Sequence, residues 1–279
     1  MTGYAHPRLL CGVDELAAEA GGADRPLLLD LRPAEVFATG HLPGAVHLDL
    51  YGLSLIDTSP GPLRAFLWMI EHLLIARGVS DGPVIVYDEC SGIRAARAFW
   101  FLEYFGHPAT RLLNGGVGSW QRAGRALTTD VTTPVRGDWT RRKEVTDGLA
   151  TWTDVEARLG GACAILDTRS AGEFYGDDRR AARAGAIPGA VHLEWTLNLD
   201  DHGEFRPAAE LRDLYASAGI TPEREVVTYC QGGYRAAHSY LALRLLGYPR
   251  VRNYIGSWKE WGDRPDLPIE LPPHQDAVR

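Results

Sequence analysis

Four stretches of the chain occur twice, in the same order, and this duplication constrains the fold more than any other feature. LLLDLRPAEVF near residue 30 is matched by AILDTRSAGEF near residue 167, and GHLPGAVHLD (40–49) by GAIPGAVHLE (185–194). PVIVYDECSGIRAARAFWFLEYFGHP (83–108) is matched by EVVTYCQGGYRAAHSYLALRLLGYP (225–249), and NGGVGSWQRAG (114–124) by NYIGSWKEWG (253–262). The offset is not constant across the pairs Asp30 with Asp167, Gly40 with Gly185 and Arg94 with Arg235. Loops therefore differ in length on a shared framework, and the chain is expected to fold as two copies of one domain.

The length of 279 residues suits two domains of ~100–200 residues each. Apolar residues at 45% and charged residues at 23% are ordinary globular values and exclude wholesale disorder. A net charge of −7 without a Lys/Arg-rich block argues against gripping nucleic acid or an anionic membrane. No apolar run approaches the ~20 residues of a membrane span, and MTGYAHPRLLCGVDE lacks the layout of a secretory signal. Cys11, Cys90, Cys163 and Cys230 lie far apart with no CxxC pair, which disfavours a disulfide framework or a zinc ribbon. The expectation is a reduced, cytoplasmic protein.

The first domain is expected over 1–130, a linker over 131–150 and the second domain over 151–279. The segment 128–148 is threonine-rich, charged and without apolar periodicity; its Arg141, Arg142 and Lys143 read as a solvated charge run rather than a docking patch. A capping box is expected at Thr153, in T-D-V-E. LLLDL, PVIVYD, AILDT and EVVTYC read as buried parallel strands, whereas 62–78 and 235–247 carry helical spacing and end in glycine. The fold class is therefore α/β, each domain a mainly parallel sheet flanked by helices. Ligands of such sheets bind beyond the carboxyl ends of the strands.

Beyond Val226–Tyr229 lies Cys230-Gln231-Gly232-Gly233-Tyr234-Arg235, and then a helix. Glycines let the backbone curl so that N–H groups gather around the sulfur; the helix N-terminus and Arg235 add positive charge. Each effect favours a thiolate nucleophile at Cys230. A buried structural cysteine would need neither the glycines nor the arginine. GGVGSW (115–120) lacks G-x-G-x-x-G and reads as a turn into a helix, with Ser119 and Ser257 as helix N-caps. His107, His192 and His238 show no ligand spacing, and nothing calls for a metal or any other cofactor.

Cys230–Arg235, the D-x-R blocks and the G-H-x-P-G-A block resemble the signatures of rhodanese sulfurtransferases, and the likeness covers nearly the whole chain twice, as in tandem thiosulfate and 3-mercaptopyruvate sulfurtransferases. The resemblance implies two rhodanese-like domains with catalysis in the second and the site at their interface. The loop cysteine would take the outer sulfur of a donor as a persulfide and pass it to cyanide, a thiol or a protein thiol. Asp88 falls at the nucleophile's place in the first half, as in the inactive half of tandem relatives, with Cys90 two residues on as an incidental thiol or a second carrier. Related phosphatases use Cys-x5-Arg, so Cys-x4-Arg is the sulfur-sized form.

The resemblance also nominates substrate-binding residues. Asp30 and His41 match first-domain residues that approach the cysteine in mercaptopyruvate-type enzymes, and Arg169 matches an arginine that holds an anionic donor; framework roles are the competing reading for all three. Arg179, Arg180 and Arg183 enter with the insertion 176–185, and one of them is a candidate contact. The loop carries neither the lysine of thiosulfate enzymes nor the serine of mercaptopyruvate enzymes at Gly232. Thiosulfate is the favoured donor, 3-mercaptopyruvate the alternative, and a persulfide carrier or sensor acting on a protein partner the reading of another class.

Overall fold

The computed structural model describes residues 3–20, 22, 25–140 and 147–274, so Arg141, Arg142 and Lys143 lie outside the described residues. The first half contains strands β1 (Leu10–Cys11), β2 (Leu27–Asp30), β3 (Val46–His47), β4 (Val84–Tyr87) and β5 (Thr110–Leu113). The second contains β6 (Leu149–Ala150), β7 (Ala164–Asp167), β8 (Val191–His192), β9 (Val226–Tyr229) and β10 (Val251–Tyr254). Each set forms one parallel sheet, in the orders β1-β5-β4-β2-β3 and β6-β10-β9-β7-β8. The duplication seen in the sequence is thus a duplication of topology.

The helices are α1 (Val13–Ala20), α2 (Ala34–Thr39), α3 (Pro60–Ala76), α4 (Ile93–Tyr104) and α5 (Gly116–Arg122), then α6 (Trp152–Glu156), α7 (Ala171–Tyr175), α8 (Ala208–Ser217), α9 (Tyr234–Leu245) and α10 (Ser257–Trp261). The central strands β4 and β9 are buried along their whole length, which explains their unbroken Val, Ile, Thr and Tyr runs. α4 and α9 each follow the loop after a central strand, and they pack against one another. Most of α4 and nearly all of α9 are buried, so neither shows a clean polar face. Their contact joins apolar residues of both halves into one large cluster, while each half keeps a smaller cluster of its own, and it puts both loops at the domain interface.

Three local expectations are corrected. The capping box sits two residues earlier, between Thr151 and Asp154, because Thr151 is the residue with extended backbone ahead of α6. Ser119 and Ser257 are not N-caps: Gly115 and Gly256 hold those places, and Ser119 Oγ instead donates to the Asn114 and Gly116 carbonyls. The end of the expected linker is no free tether on its first-domain side. The Gly137 N–H donates to Ile75 O, a Cβ there would meet Val79 O at 1.9 Å, and Trp139 is buried against Phe105 and His107.

Candidate active site

Cys230 is the first residue after strand β9; it is 1% exposed and lies on the floor of a cleft between the domains. Gly233 takes a left-handed backbone (φ +81°), and this turn aims its N–H at Cys230 Sγ, 3.1 Å away. The other expected N–H contacts to the sulfur are not made. The Cys230 N–H donates to Ser257 Oγ at 3.1 Å, and that hydroxyl donates to Tyr254 O at 2.7 Å. The Cys230 and Gln231 carbonyls accept from the Trp258 and Lys259 N–H groups, both at 2.9 Å. Asn253 Nδ2 holds Gly233 O at 3.2 Å. A loop tied to β10 and α10 in this way is pre-organised and does not depend on packing in the cleft itself.

The first domain supplies the facing wall. Tyr234 Oη donates to Leu50 O at 2.6 Å and Leu53 O at 3.1 Å, locking the start of α9 to the segment that carries Tyr51, Gly52 and Ser54. Ser54 Oγ lies 3.0 Å from where a Gly232 side chain would begin, so this wall fills the space a larger loop residue would take. Ile93, Arg180, Gln231, Arg235 and Lys259 complete a cleft of about 540 Å³.

Arg235 forks onto Glu173 at 2.5 and 2.9 Å. Burial would raise the Glu173 carboxyl, but the hydrogen bonds and charge of Arg235, with help from Ser170, more than reverse this and hold it at about 2. The Arg235 charge is therefore already compensated. Arg180 Nη1 stands 3.8 Å from the same carboxylate and is mostly exposed. Lys259 is exposed and has no ion pair among the described residues. One carboxylate faces three cations, which leaves the cleft with surplus positive charge.

Asp30, His41 and Arg169 do not line this cleft. Arg169 makes a two-pronged pair with Asp167 at 2.6–3.0 Å and donates to Gly185 O at 2.8 Å. Arg32 repeats this with Asp30 and Gly40 O, within about 0.1 Å. Contacts reproduced in both halves, where only the second has a cysteine directly after its central strand, are those of the fold. His41 is buried, stacked on Phe37, with Nδ1 at Phe37 O and Nε2 at Asp130 O. Of the three insertion arginines, Arg180 lines the cleft, whereas Arg183 is spent on the carbonyls of Trp261, Gly262, Arg264 and Leu267.

Burial pushes the other thiols up, Cys11 and Cys90 to about 12 and Cys163 to about 11. For Cys90 the charges of Asp88 and Glu89 push further in the same direction, which disfavours it as a sulfur carrier. His238 is a core residue: burial drives it down to about 3, and it stacks on Phe205 with Nε2 at Ser91 O. The sequence does not single out Lys259, Tyr51 or Ser54, and it offers Ser257 only as a helix N-cap. The GSWKEW block did carry Ser257 and Lys259, and its spacing from the duplicated loop was the available signal.

Residues 13–123 and 151–264 each match the Rhodanese-like domain family. The chain is 38% identical to a thiosulfate sulfurtransferase of Pseudomonas aeruginosa, over 90% of this chain and 93% of that one. It is 35% identical to the sulfur carrier protein TtuD of Thermus thermophilus, over 96% and 98%. A thiosulfate sulfurtransferase of Corynebacterium glutamicum is 36% identical over 96% and 92%. Among solved structures, an anaerobic ergothioneine biosynthesis enzyme from Chlorobium limicola superposes with a TM-score of 0.80 at 22% identity, covering 97% of this chain and 72% of that one. That likeness is one of fold.

Proposed function

The chain belongs to the rhodanese-like family, and from that premise we propose that it is a thiosulfate sulfurtransferase working through a persulfide on Cys230. The Cys230 thiolate attacks the outer sulfur of thiosulfate. A new S–S bond forms, the S–S bond of the donor breaks, and its electron pair leaves with sulfite, giving Cys230–S–S⁻. Cyanide or a thiolate then takes the outer sulfur, and the thiolate returns. The Gly233 N–H and the N-terminal end of α9 hold the negative charge that shifts outward by one atom.

The observation that carries the donor assignment is the charge of the cleft. Arg235 and Glu173 neutralise each other, and Arg180 and Lys259 remain to face a dianion. Gly232 with Ser54 opposite keeps the space beside the sulfur small. Arg169, Asp30 and His41 act on this reading by holding the framework and do not touch the donor. We also place the protein in the cytoplasm, where its thiols stay reduced. No helix among the described residues is long and apolar enough to cross a membrane.

Steady-state rates with thiosulfate and with 3-mercaptopyruvate, each with cyanide as acceptor, test this. The expected result is kcat/KM at least about tenfold higher with thiosulfate. A preference for 3-mercaptopyruvate would overturn the donor assignment. Efficient persulfide formation with negligible turnover would instead make the protein a carrier for a protein acceptor.

A further inference from the structure

Arg97, on α4 of the first domain, is fully buried. Its Nη1 donates to Gly232 O at 2.9 Å, while Nε and Nη2 have no hydrogen-bond partner. Its guanidinium stacks over the rings of Tyr234 at 4.4 Å and Phe101 at 5.0 Å. No carboxylate pairs with it among the described residues. Leaving a buried guanidinium in this state is strongly unfavourable, and the aromatic faces offset only part of that cost.

Arg97 also explains part of the loop sequence. A Cβ on Gly233 would come within 2.1 Å of Arg97 Nη1, so this position excludes side chains for space as well as for its positive φ. Gly233 is the residue whose N–H meets Cys230 Sγ. The guanidinium therefore stands within about 8 Å of the sulfur, behind the loop and away from the open cleft. The other charged or titratable groups around Cys230 are Arg235 with its partner Glu173, Arg180, Lys259 and Tyr234. Among the described residues around Cys230, only Arg97 combines full burial with the lack of an anion.

We propose that Arg97 of the first domain is a positioning residue for the second domain's chemistry: its uncompensated charge is the built-in counter-charge for the sulfur anion on Cys230, transmitted through the Gly232–Gly233 backbone. Burial keeps the interaction unscreened by salt. The first domain, which has no nucleophile of its own at Asp88, thereby contributes an electrostatic element that the second lacks. Glycines at 232 and 233 let the charge approach, and α4–α9 packing holds it there.

The persulfide part rests on the function proposed above, so the first test avoids it. The pH dependence of Cys230 alkylation by iodoacetamide, a neutral reagent, is measured in wild type, Arg97→Gln and Arg97→Lys. The rate at pH 7 is expected to drop about five- to tenfold in Arg97→Gln, with the profile moved to higher pH, and Arg97→Lys is expected to recover most of it. Superimposable profiles would overturn the proposal even if Arg97→Gln melts earlier, since a purely structural tie would alter stability alone.

A second measurement covers the case in which Arg97→Gln does not fold. Wild-type enzyme loaded with thiosulfate, and the same enzyme blocked with iodoacetamide, are melted side by side after intact mass has confirmed each state. The anionic persulfide is expected to raise Tm above that of the neutral adduct. Equal melting of the two forms would overturn the role of Arg97. Failure of the mass to change with thiosulfate would instead reject the persulfide reading and leave the alkylation test standing.

Discussion

In the first domain the Asp88 carboxylate accepts the N–H groups of Cys90 at 3.2 Å, Gly92 at 2.9 Å, Arg94 at 3.1 Å and Ala95 at 3.0 Å. In the second, Cys230 Sγ accepts one N–H, from Gly233 at 3.1 Å. Both loops leave the central strand of the same sheet and enter equivalent helices. The oxygens of an aspartate stand one bond farther from the backbone than a cysteine sulfur, the same number of bonds as the outer atom of a persulfide. With Arg94 laid on Arg235, the donors on Asp88 Oδ2 correspond to the N–H groups of Arg235 and Ala236, in the first turn of α9, where helix N–H groups have no intrahelical acceptor.

The first loop therefore holds a built-in carboxyl group in the cradle that the second keeps open for a transient anion. Burial pushes the Asp88 carboxyl up to about 6, against the pull of the Ala95, Gly92 and Cys90 N–H groups, which favour the carboxylate. The arginines that follow differ in the same sense. Arg94 pairs with Asp49 at the surface, whereas Arg235 pairs with the buried Glu173.

The largest effect separates the two loops outright. Cys230→Ser is expected to lower sulfur transfer by at least about 10³-fold, while Cys90→Ser stays within about twofold, measured as thiocyanate formation. Comparable losses in both variants would mean that the first loop is not idle. Next, Asp88→Ala leaves its buried N–H groups without an acceptor and is expected to cost about 2–4 kcal/mol in denaturant unfolding. The mirror substitution sharpens this: Cys230→Asp, though inactive, is expected to exceed Cys230→Ala in stability by about 1–2 kcal/mol, because its carboxylate reaches the open N–H groups. If Asp and Ala at 230 melt together, the cradles are not equivalent.

Acid sharpens the comparison of the arginine pairs. Glu173 is held at about 2, below its ordinary 4.5, so its contribution is complete above about pH 5 and is lost as pH falls from there towards 2. Discounted for solvent screening, that contribution is about 1–2 kcal/mol. Glu173→Gln is expected to flatten this part of the stability–pH curve, and an unchanged slope would contradict the assignment. The smallest expected effect is that of Lys259→Ala: KM for thiosulfate rising about three- to tenfold with kcat within twofold, by steady-state kinetics. A fall in kcat instead would move Lys259 from donor capture to the transfer step.

What was legible in the sequence was whatever the duplication or the backbone dictates locally. Strands β2, β4, β7 and β9 show as apolar runs because parallel strands are buried on both faces. Cys230 and Asp88 emerge by laying one half on the other. The same comparison held a clue about Arg169 that the family resemblance outweighed: D-x-R occurs in both halves, and a residue kept in the half without a nucleophile is more simply framework. Arg97 was hidden for a different reason. In the sequence it is one more arginine in RAARAFWF, and only packing of α4 on α9 turns it towards Gly232 with two nitrogens unpaired. The roles of Ser257 and Lys259 at the loop do not show in the sequence because both reach it from α10, which follows the neighbouring strand β10. Trp139 looked like part of a tether because its burial depends on one indole and carries no periodicity.

The most direct measurement is intact mass after brief exposure to thiosulfate, for wild type and Cys230→Ser side by side. The account predicts the gain of one sulfur atom in wild type and none in the variant, with the added sulfur removed by cyanide. An unchanged wild-type mass, or an equal and cyanide-labile gain in the variant, would contradict it, because the sulfur would then not travel through Cys230.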